Sequence, residues 1–168
     1  MVYQLKPNAL VWLLLSVLVI ALDQLTKHVA LAELQPYQPH AVIPGLLNWT
    51  LAFNPGAAFS FLAGEDGWQR WLFTALAIGV SAMLALWLSR TPRGDWRNAL
   101  PLALIIGGAL GNLVDRLRFG HVTDFIQVYW HDWMFPAFNV ADSAISVGAA
   151  MLVLFGFLLG GKAQSKSG

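Results

Sequence analysis

The chain has 168 residues, a length typical of one domain, and 57% of them are hydrophobic whereas only 11% are charged. Ten lysines and arginines against nine aspartates and glutamates give no basic surplus of the kind that indicates nucleic-acid binding. The composition predicts an integral membrane protein, and the absence of cysteine excludes disulfides, thiol nucleophiles and thiolate metal sites.

Four apolar runs have about the length needed to cross a hydrocarbon core about 30 Å thick. They lie at about residues 9–32, 71–89, 99–114 and 139–160. The third run is short, so we expect its polar end to lie at the membrane interface. The first run resembles a cleavable signal peptide, but a polar stretch from Asp23 to His28 precedes the small residues of the cleavage site. We therefore expect it to be retained as a span.

The basic residues predict the orientation of these spans. With both termini in the cytoplasm, that side carries six lysines and arginines, three of them in a short loop at 90–97, and the other side carries four. Tryptophans near the ends of the spans fit an aromatic belt. We therefore expect both long loops, at about residues 33–70 and 117–138, to face outward.

The first outer loop is more than a linker. A Pro44-Gly45 turn precedes a β-prone stretch that ends at Phe53, which predicts two or three short strands lying on the membrane surface. Residues 54–60 are mostly small and suit a close approach of the backbone to a ligand or helix. Residues 67–71 predict a short interfacial helix, and the polar end at 161–168 is expected to be disordered. The predicted fold is mainly α, with four transmembrane helices, a small extracytoplasmic β-sheet and this interfacial helix in one membrane domain of residues 1–168.

Two aspartates flank the second outer loop, and 18 positions separate Asp124 from Asp142. Two close carboxylates resist simultaneous ionisation, so one holds a proton while the other can activate water, as an acid/base hydrolase requires. Ordinary roles remain open at this point. Asp142 can be the third residue of a helix capped by Asn139, and Asp124 a solvated loop carboxylate. On composition alone, Asp115 and Asp132 compete as partners.

Other polar residues near the span ends also have two interpretations. Asp23 and Lys27, four positions apart, predict an ion pair at a helix end with Lys27 extending outward, or a group that positions the site. Asn112 and Arg116 are costly near lipid unless paired, and can bind substrate or a lipid headgroup, or tie the helix to the loop. We expect Asp115 to form a structural ion pair with its neighbour Arg116.

Other catalytic chemistries find little support in the sequence. The four histidines are scattered without a His-Glu-x-x-His sequence, and no serine lies in Gly-x-Ser-x-Gly. The glycine-rich run at 107–111 lies inside an apolar span and indicates close helix packing rather than a nucleotide site. We therefore expect no metal and no cofactor.

Five sequence blocks occur in order along the chain. They are Asp-Gln-Leu-Thr-Lys at 23–27, Asn-Pro-Gly-Ala-Ala-Phe-Ser at 54–60, Gly-Gly-Ala-Leu-Gly-Asn-Leu-Val-Asp-Arg at 107–116, Val-Thr-Asp-Phe at 122–125 and Phe-Asn-Val-Ala-Asp at 138–142. Together they resemble the lipoprotein signal peptidases, also called signal peptidase II. The resemblance implies an aspartyl endopeptidase of the bacterial inner membrane, without metal or cofactor, whose site lies near the periplasmic face. Its substrate would be a prolipoprotein carrying diacylglycerol on a cysteine, cleaved just before that cysteine.

The resemblance also assigns residues. Asp124 and Asp142 would be the catalytic dyad. Nine residues would bind substrate or support the site: Asp23, Lys27, Asn54, Gly56, Gly108, Asn112, Arg116, Asn139 and Ala141. The implied partners are diacylglyceryl prolipoproteins, membrane lipids and inhibitors like the peptide antibiotic globomycin, with no nucleic acid and with the protein acting as a monomer. Pro55 departs from the small polar residue that is usual in the family, which bears on the role of Asn54 because proline restricts the preceding residue.

Two other classes of protein are alternatives. One is a four-span transporter whose aspartates relay protons, although such carboxylates usually lie in mid-membrane and these lie at span ends. The other is a non-catalytic membrane scaffold, which would leave Asn112, Arg116 and the small-residue loop unexplained. The depth of the two aspartates separates the enzyme from the transporter.

Overall fold

Four long helices make up most of the chain in the computed structural model, which describes residues 7–56 and 67–163, with side chains as far as residue 156. The helices are α1 (Leu13–Glu33, preceded by a 3-10 turn at Ala9–Trp12), α2 (Trp68–Arg90), α3 (Trp96–Phe119) and α4 (Val140–Ala163). Three are long and apolar enough to cross a membrane, namely Ala9–Glu33, Trp68–Arg90 and Trp96–Phe119, and Val140–Gly156 is a shorter apolar helix. The predicted mainly helical membrane fold is confirmed.

Helix α3 is the centre of the bundle, since it packs against α1, α2 and α4. Its glycines permit this packing. A Cβ on Gly107 would lie 2.8 Å from the Cβ of Val19 in α1, and one on Gly108 would collide with the carbonyl oxygen of Ala141 in α4. The prediction that this glycine run serves helix packing is therefore confirmed.

The predicted third span ends near residue 114, but the helix that contains it is longer. Helix α3 continues to Phe119 and stops at Gly120, whose φ of 82° ends the helix in the left-handed region. Asn112 and Arg116 thus lie within its last turns. A polar helix end is tolerated here because α1, α4 and the neighbouring sheet supply hydrogen-bonding and charged partners, as described below.

A four-stranded antiparallel sheet lies at this end of the bundle, in the order β1-β2-β3-β4. The strands are β1 (His40–Ile43), β2 (Leu47–Asn54), β3 (Val122–Trp130) and β4 (Trp133–Met134). The first outer loop is predicted to hold two or three short strands, and two, β1 and β2, are present among its described residues. The sequence did not predict β3 and β4, or the pairing of β2 with β3 that joins the two outer loops through Ala52↔Asp124 and Asn54↔Val122.

The segment between β2 and α2 is described only in part. Helix α2 begins at Trp68, directly after Gly67, so residues 67–71 form its first turn rather than a separate interfacial helix. Residues 57–66 lie outside the described residues, and with them the small side chains for which we predicted a close approach. Of the polar end, residues 161–163 continue α4 and the remainder is likewise outside the described residues.

Candidate active site

Asp124 lies on a strand and is buried. It is the third residue of β3, paired with Ala52 of β2, and only 2% of its surface is exposed. Val122 and Phe125 on either side are also buried, because this end of β3 is covered by the helical bundle. The interpretation of Asp124 as a solvated loop carboxylate is therefore wrong.

Asp142 lies in the first turn of α4, where it forms a reciprocal cap with Asn139. The Oδ1 atom of Asn139 accepts the N–H of Asp142 at 2.8 Å, and Oδ2 of Asp142 accepts the N–H of Asn139 at 3.2 Å. This is the geometry of a capping box, which satisfies two backbone donors at a helix start. The helix-cap interpretation of Asp142 is thus confirmed. It does not exclude chemistry, because the side chain remains partly exposed.

Two asparagines connect the aspartates. Asn139 donates from Nδ2 to Oδ1 of Asp124 at 2.7 Å, so this one residue hydrogen-bonds both carboxylates. The same Nδ2 is 3.1 Å from Oδ1 of Asn112, and Asn112 in turn donates from its Nδ2 to Oδ1 of Asp142 at 2.7 Å. The fold therefore brings Asp124, from the second outer loop, and Asp142, from the last helix, to a single polar cluster.

The environment of Asp124 favours its protonated form. Burial first, and then the negative charge of Asp142, raise the pKa of Asp124 from 3.8 to about 7. Hydrogen bonds from Asn54 and Asn139 and the charge of Lys27 oppose this rise but do not cancel it. Near neutral pH, Asp124 is therefore able either to hold a proton or to release one.

Lys27 is buried beneath this cluster, with 2% of its surface exposed. Its Nζ lies 2.8 Å from Oδ2 of Asp23 and 3.0 Å from Oδ2 of Asp115, and donates to Oδ1 of Asn112 at 2.9 Å. The predicted Asp23–Lys27 pair is confirmed, but the outward extension of Lys27 is wrong. Two carboxylates compensate the buried charge, so it does not need to reach water. Among the described residues the ion pair of Asp115 is with Lys27, not with its neighbour Arg116 as expected.

The end of β2 contributes Asn54 and Gly56. Asn54 hydrogen-bonds Asp124 with its side chain, and its Oδ1 also accepts the N–H of Gly56 at 2.9 Å. Gly56 has φ of 113°, which favours glycine, and a Cβ there would lie 2.5 Å from Cε2 of Phe73. Pro55, between them, leaves Asn54 in contact with the site.

Arg116, Gly108 and Ala141 complete the predicted set. The guanidinium of Arg116 lies over the ring of Phe73, 5.0 Å from its centre, and its charge interacts with those of Asp142 and Asp124. Gly108 leaves room for the carbonyl of Ala141, whose N–H donates to Asp23 at 2.9 Å. All eleven residues singled out from the sequence are therefore at this end of the bundle, whereas Asp132 is exposed in the turn between β3 and β4.

Sequence reasoning missed two residues of the cluster. Gln24 donates from Nε2 to Oδ1 of Asp115 at 2.9 Å and lies 3.2 Å from Oδ2 of Asp23. Thr123 donates its backbone N–H to Oδ2 of Asp115 at 3.0 Å. Gln24 and Thr123 both lie inside the sequence blocks at 23–27 and 122–125. The only sequence signal for either residue is that it is adjacent to a candidate aspartate, Asp23 or Asp124. Within the described ranges, no group of three or more His, Cys, Asp and Glu side chains is placed to hold a metal ion.

An apolar groove lies between the end of α1 and the sheet. Its volume is about 460 Å³, and Leu25, Val29, Trp49 and Phe125 are among the residues that line it. Phe125 directly follows Asp124 on β3.

Known proteins resemble this chain over nearly all of its length. The peptidase A8 family, described as signal peptidase (SPase) II, matches residues 15–158. A lipoprotein signal peptidase of Xanthomonas campestris pv. campestris (strain 8004) is 57% identical over 163 residues, covering 97% of this chain and 97% of that protein. One of Xylella fastidiosa (strain M12) is 57% identical over 152 residues, covering 89% and 91%. A solved structure of a bacterial membrane enzyme superposes with a TM-score of 0.76 at 30% identity, covering 89% of this chain and 94% of that one. A second gives 0.79 at 29%, covering 97% and 96%.

Proposed function

Because this chain belongs to the signal peptidase II family, the lipoprotein signal peptidases, we propose that Asp124 and Asp142 are the aspartyl dyad of a membrane endopeptidase. Its substrates are prolipoproteins that carry diacylglycerol on a cysteine, and it cleaves the peptide bond just before that cysteine. The observation that carries the proposal is that Asn139 hydrogen-bonds both carboxylates. An acid/base pair needs this proximity, which no sequence argument supplies.

The two aspartates take different roles in the proposed mechanism. Asp142 accepts hydrogen bonds on both oxygens, from Asn112 and from the N–H of Asn139, and we assign it the role of the base. Asp124, with a pKa of about 7, carries the proton. In the first step Asp142 takes a proton from water, whose oxygen attacks the carbonyl carbon. Asp124 then gives its proton to the peptide nitrogen as the C–N bond breaks, and a proton passing from Asp142 to Asp124 restores the pair.

The substrate's lipid fixes where the reaction takes place. Acyl chains hold a diacylglyceryl peptide in the bilayer at about 0.8 kcal/mol per buried CH₂, so the bond to be cleaved lies near the membrane surface. The groove beside Phe125 is apolar and suits one of those chains. Polar groups of the peptide are bound at the edge of the dyad by Arg116 and Asn54. The structure of the site is maintained by five further residues, Asp23, Lys27, Gly56, Gly108 and Ala141. Inhibitors like globomycin bind the same site.

We also propose a topology for the chain in the membrane. All four helices span the bacterial inner membrane, at about residues 9–32, 71–89, 99–114 and 139–160, with the polar last turns of α3 at the interface. Both termini are cytoplasmic, and the sheet and the dyad lie near the periplasmic face. Residues 1–168 form one domain that acts as a monomer among membrane lipids. The position of Asp124 on β3, outside the helices, supports a hydrolase at the surface rather than a proton relay through the membrane.

The test is cleavage of a diacylglyceryl-modified prolipoprotein by purified Asp124→Asn and Asp142→Asn variants. We expect loss of cleavage by a factor of about 10² or more in each, because either substitution removes half of the acid/base pair. Asp132→Asn is the matched control, since Asp132 is exposed in the β3–β4 turn, and it should cleave normally. Cleavage near the control rate by either dyad variant would refute the dyad. Equal cleavage of a prolipoprotein without diacylglycerol would refute the proposed substrate.

A further inference from the structure

Asp23, one of two buried carboxylates outside the dyad in the part of the chain that the structure describes, holds the residue that precedes Asp142. Its Oδ1 accepts the N–H of Ala141 at 2.9 Å, and Ala141 is itself fully buried. Asp23 belongs to α1, whereas Ala141 lies in the first turn of α4. This bond therefore fixes the start of α4, and with it Asp142, relative to the first helix.

Asp115 makes the equivalent contact with the other member of the dyad. Its Oδ2 accepts the N–H of Thr123 at 3.0 Å, and Thr123 directly precedes Asp124. Asp115 belongs to α3 and Thr123 to β3. Each member of the dyad thus follows a residue whose backbone N–H is held by a buried carboxylate from a different element.

Two side chains of α1 join these carboxylates to one another. Lys27 places its Nζ 2.8 Å from Oδ2 of Asp23 and 3.0 Å from Oδ2 of Asp115. Gln24 spans the same pair with its Nε2, which lies 2.9 Å from Oδ1 of Asp115 and 3.2 Å from Oδ2 of Asp23. Gly111 provides the space, since a Cβ there would lie 2.9 Å from Oδ2 of Asp23.

We propose that Asp23, Gln24, Lys27 and Asp115 form a carboxylate clamp, a positioning device that sets the separation of the two catalytic aspartates. The proposal rests on the proposed dyad. Asp124 comes from β3 and Asp142 from α4, so the distance between them depends on how the strand and the start of the helix are held relative to each other. The clamp connects the two elements, because it ties the residue before each aspartate to a shared lysine and glutamine. None of its members is placed to touch the peptide bond, so all four act as positioning residues.

Gln24→Met is the substitution that tests the clamp most cleanly. It removes the amide that bridges the two carboxylates but changes no charge, so a change in the titration of the dyad reports geometry. The groups whose charges act on Asp124 all remain present in this variant, namely Asp142 on α4, Lys27 on α1 and Arg116 on α3. We expect kcat to fall by about ten-fold, since misplacement of a reacting group by about 1 Å costs up to about 10²-fold. KM should stay unchanged.

The pH profile of kcat is the measurement that a merely structural role would not move. A wider spacing weakens the repulsion that Asp142 exerts on the ionised form of Asp124, so the alkaline limb should move to lower pH in Gln24→Met. Gln127→Met is the matched control. It removes a partly buried amide of β3 that hydrogen-bonds Thr50 at 3.1 Å and does not contact the clamp, so kcat and its pH profile should match the wild-type enzyme.

A second variant, Asp115→Asn, tests the clamp independently in case Gln24→Met does not fold. Asp115→Asn keeps an acceptor for the N–H of Thr123 but loses the ion pair with Lys27, and should lower kcat by about 10²-fold. If Gln24 acts through Asp115, the double variant should lose no more kcat than Asp115→Asn alone. If Gln24→Met keeps the wild-type kcat and pH profile, or changes only the melting temperature, the clamp proposal is refuted. The dyad proposal still holds in that case if Asp124→Asn and Asp142→Asn are inactive. Activity in those two variants would overturn the dyad and the clamp together.

Discussion

Replacement of Asp124 by asparagine should make the folded protein more stable as well as inactive. The carboxyl group is buried, and its pKa of about 7 in the folded protein compares with 3.8 for an exposed aspartate. Between these two pH values the folded chain binds more protons than the unfolded chain. Stability contributed by the protonated carboxyl is therefore complete below about pH 4 and is lost as the pH rises to about 7.

The size of this effect follows from the two pKa values. A rise of about three pH units corresponds to about 4 kcal/mol at about 1.4 kcal/mol per unit. Asparagine has nearly the shape of a protonated aspartate and cannot ionise. The stability advantage of Asp124→Asn should thus be about 2 kcal/mol at pH 5 and rise to at most about 4 kcal/mol at pH 8, where it becomes constant.

Thermal unfolding in one detergent at pH 5, 6, 7 and 8 measures this difference. An advantage of about 4 kcal/mol corresponds to a melting temperature about 10 °C higher at pH 8 in a chain of this length. All other ionisable groups are present in both proteins, so their contributions cancel in the comparison. Asp132→Asn, which alters an exposed carboxylate, should show no such pH dependence. A melting-temperature difference that is constant across these pH values would refute the raised pKa of Asp124.

Three further predictions concern other parts of the site. Gly108→Ala should destabilise the protein by about 1–3 kcal/mol, because the added Cβ would collide with the carbonyl of Ala141, whereas Gly79→Ala, with no atom within 4 Å, should melt like the wild type. Equal melting temperatures for the two would contradict the packing of α3 on α4. Arg116→Ala should raise KM more than it lowers kcat, since the guanidinium lies at the edge of the dyad. A change in thermal stability alone would return Arg116 to a structural role. EDTA should leave the cleavage rate unchanged, and inactivation reversed by added zinc would contradict a metal-free dyad.

The helical part of the site could be predicted because its polar residues stand out in an apolar sequence. Asn139 and Asp142 were placed correctly at the start of the last helix from capping preferences alone, and both hydrogen bonds of the cap are present. The Asp23–Lys27 pair follows from spacing on one helix. These are local relations, and helix geometry fixes them within a few residues.

The strand that carries Asp124 and the burial of Lys27 could not be predicted, because both depend on contacts between distant parts of the chain. The sequence alone predicts a loop where β3 lies. A strand with one buried end is recognised by the strand it pairs with, and the partner of β3 is β2 in the other outer loop. The burial of Lys27 depends on Asp115, which α3 brings to it. With Asp23 as its only partner, Lys27 would have a lower free energy if its side chain extended outward to water. The second carboxylate, from Asp115, makes the buried position of Lys27 the more favourable one.

The Asp23–Lys27 pair also bears on how the protein is made. Both charges belong to α1, and they lie one helical turn apart with 2.8 Å between Nζ and Oδ2. This helix leaves the ribosome before α3, so it must enter the membrane without Asp115. An unpaired charge at the centre of a span costs about 2.5–3.5 kcal/mol to insert, and a partner in the same helix is available at once. The first helix therefore carries its own counter-ion into the bilayer, and Asp115 arrives later at a lysine that is already paired.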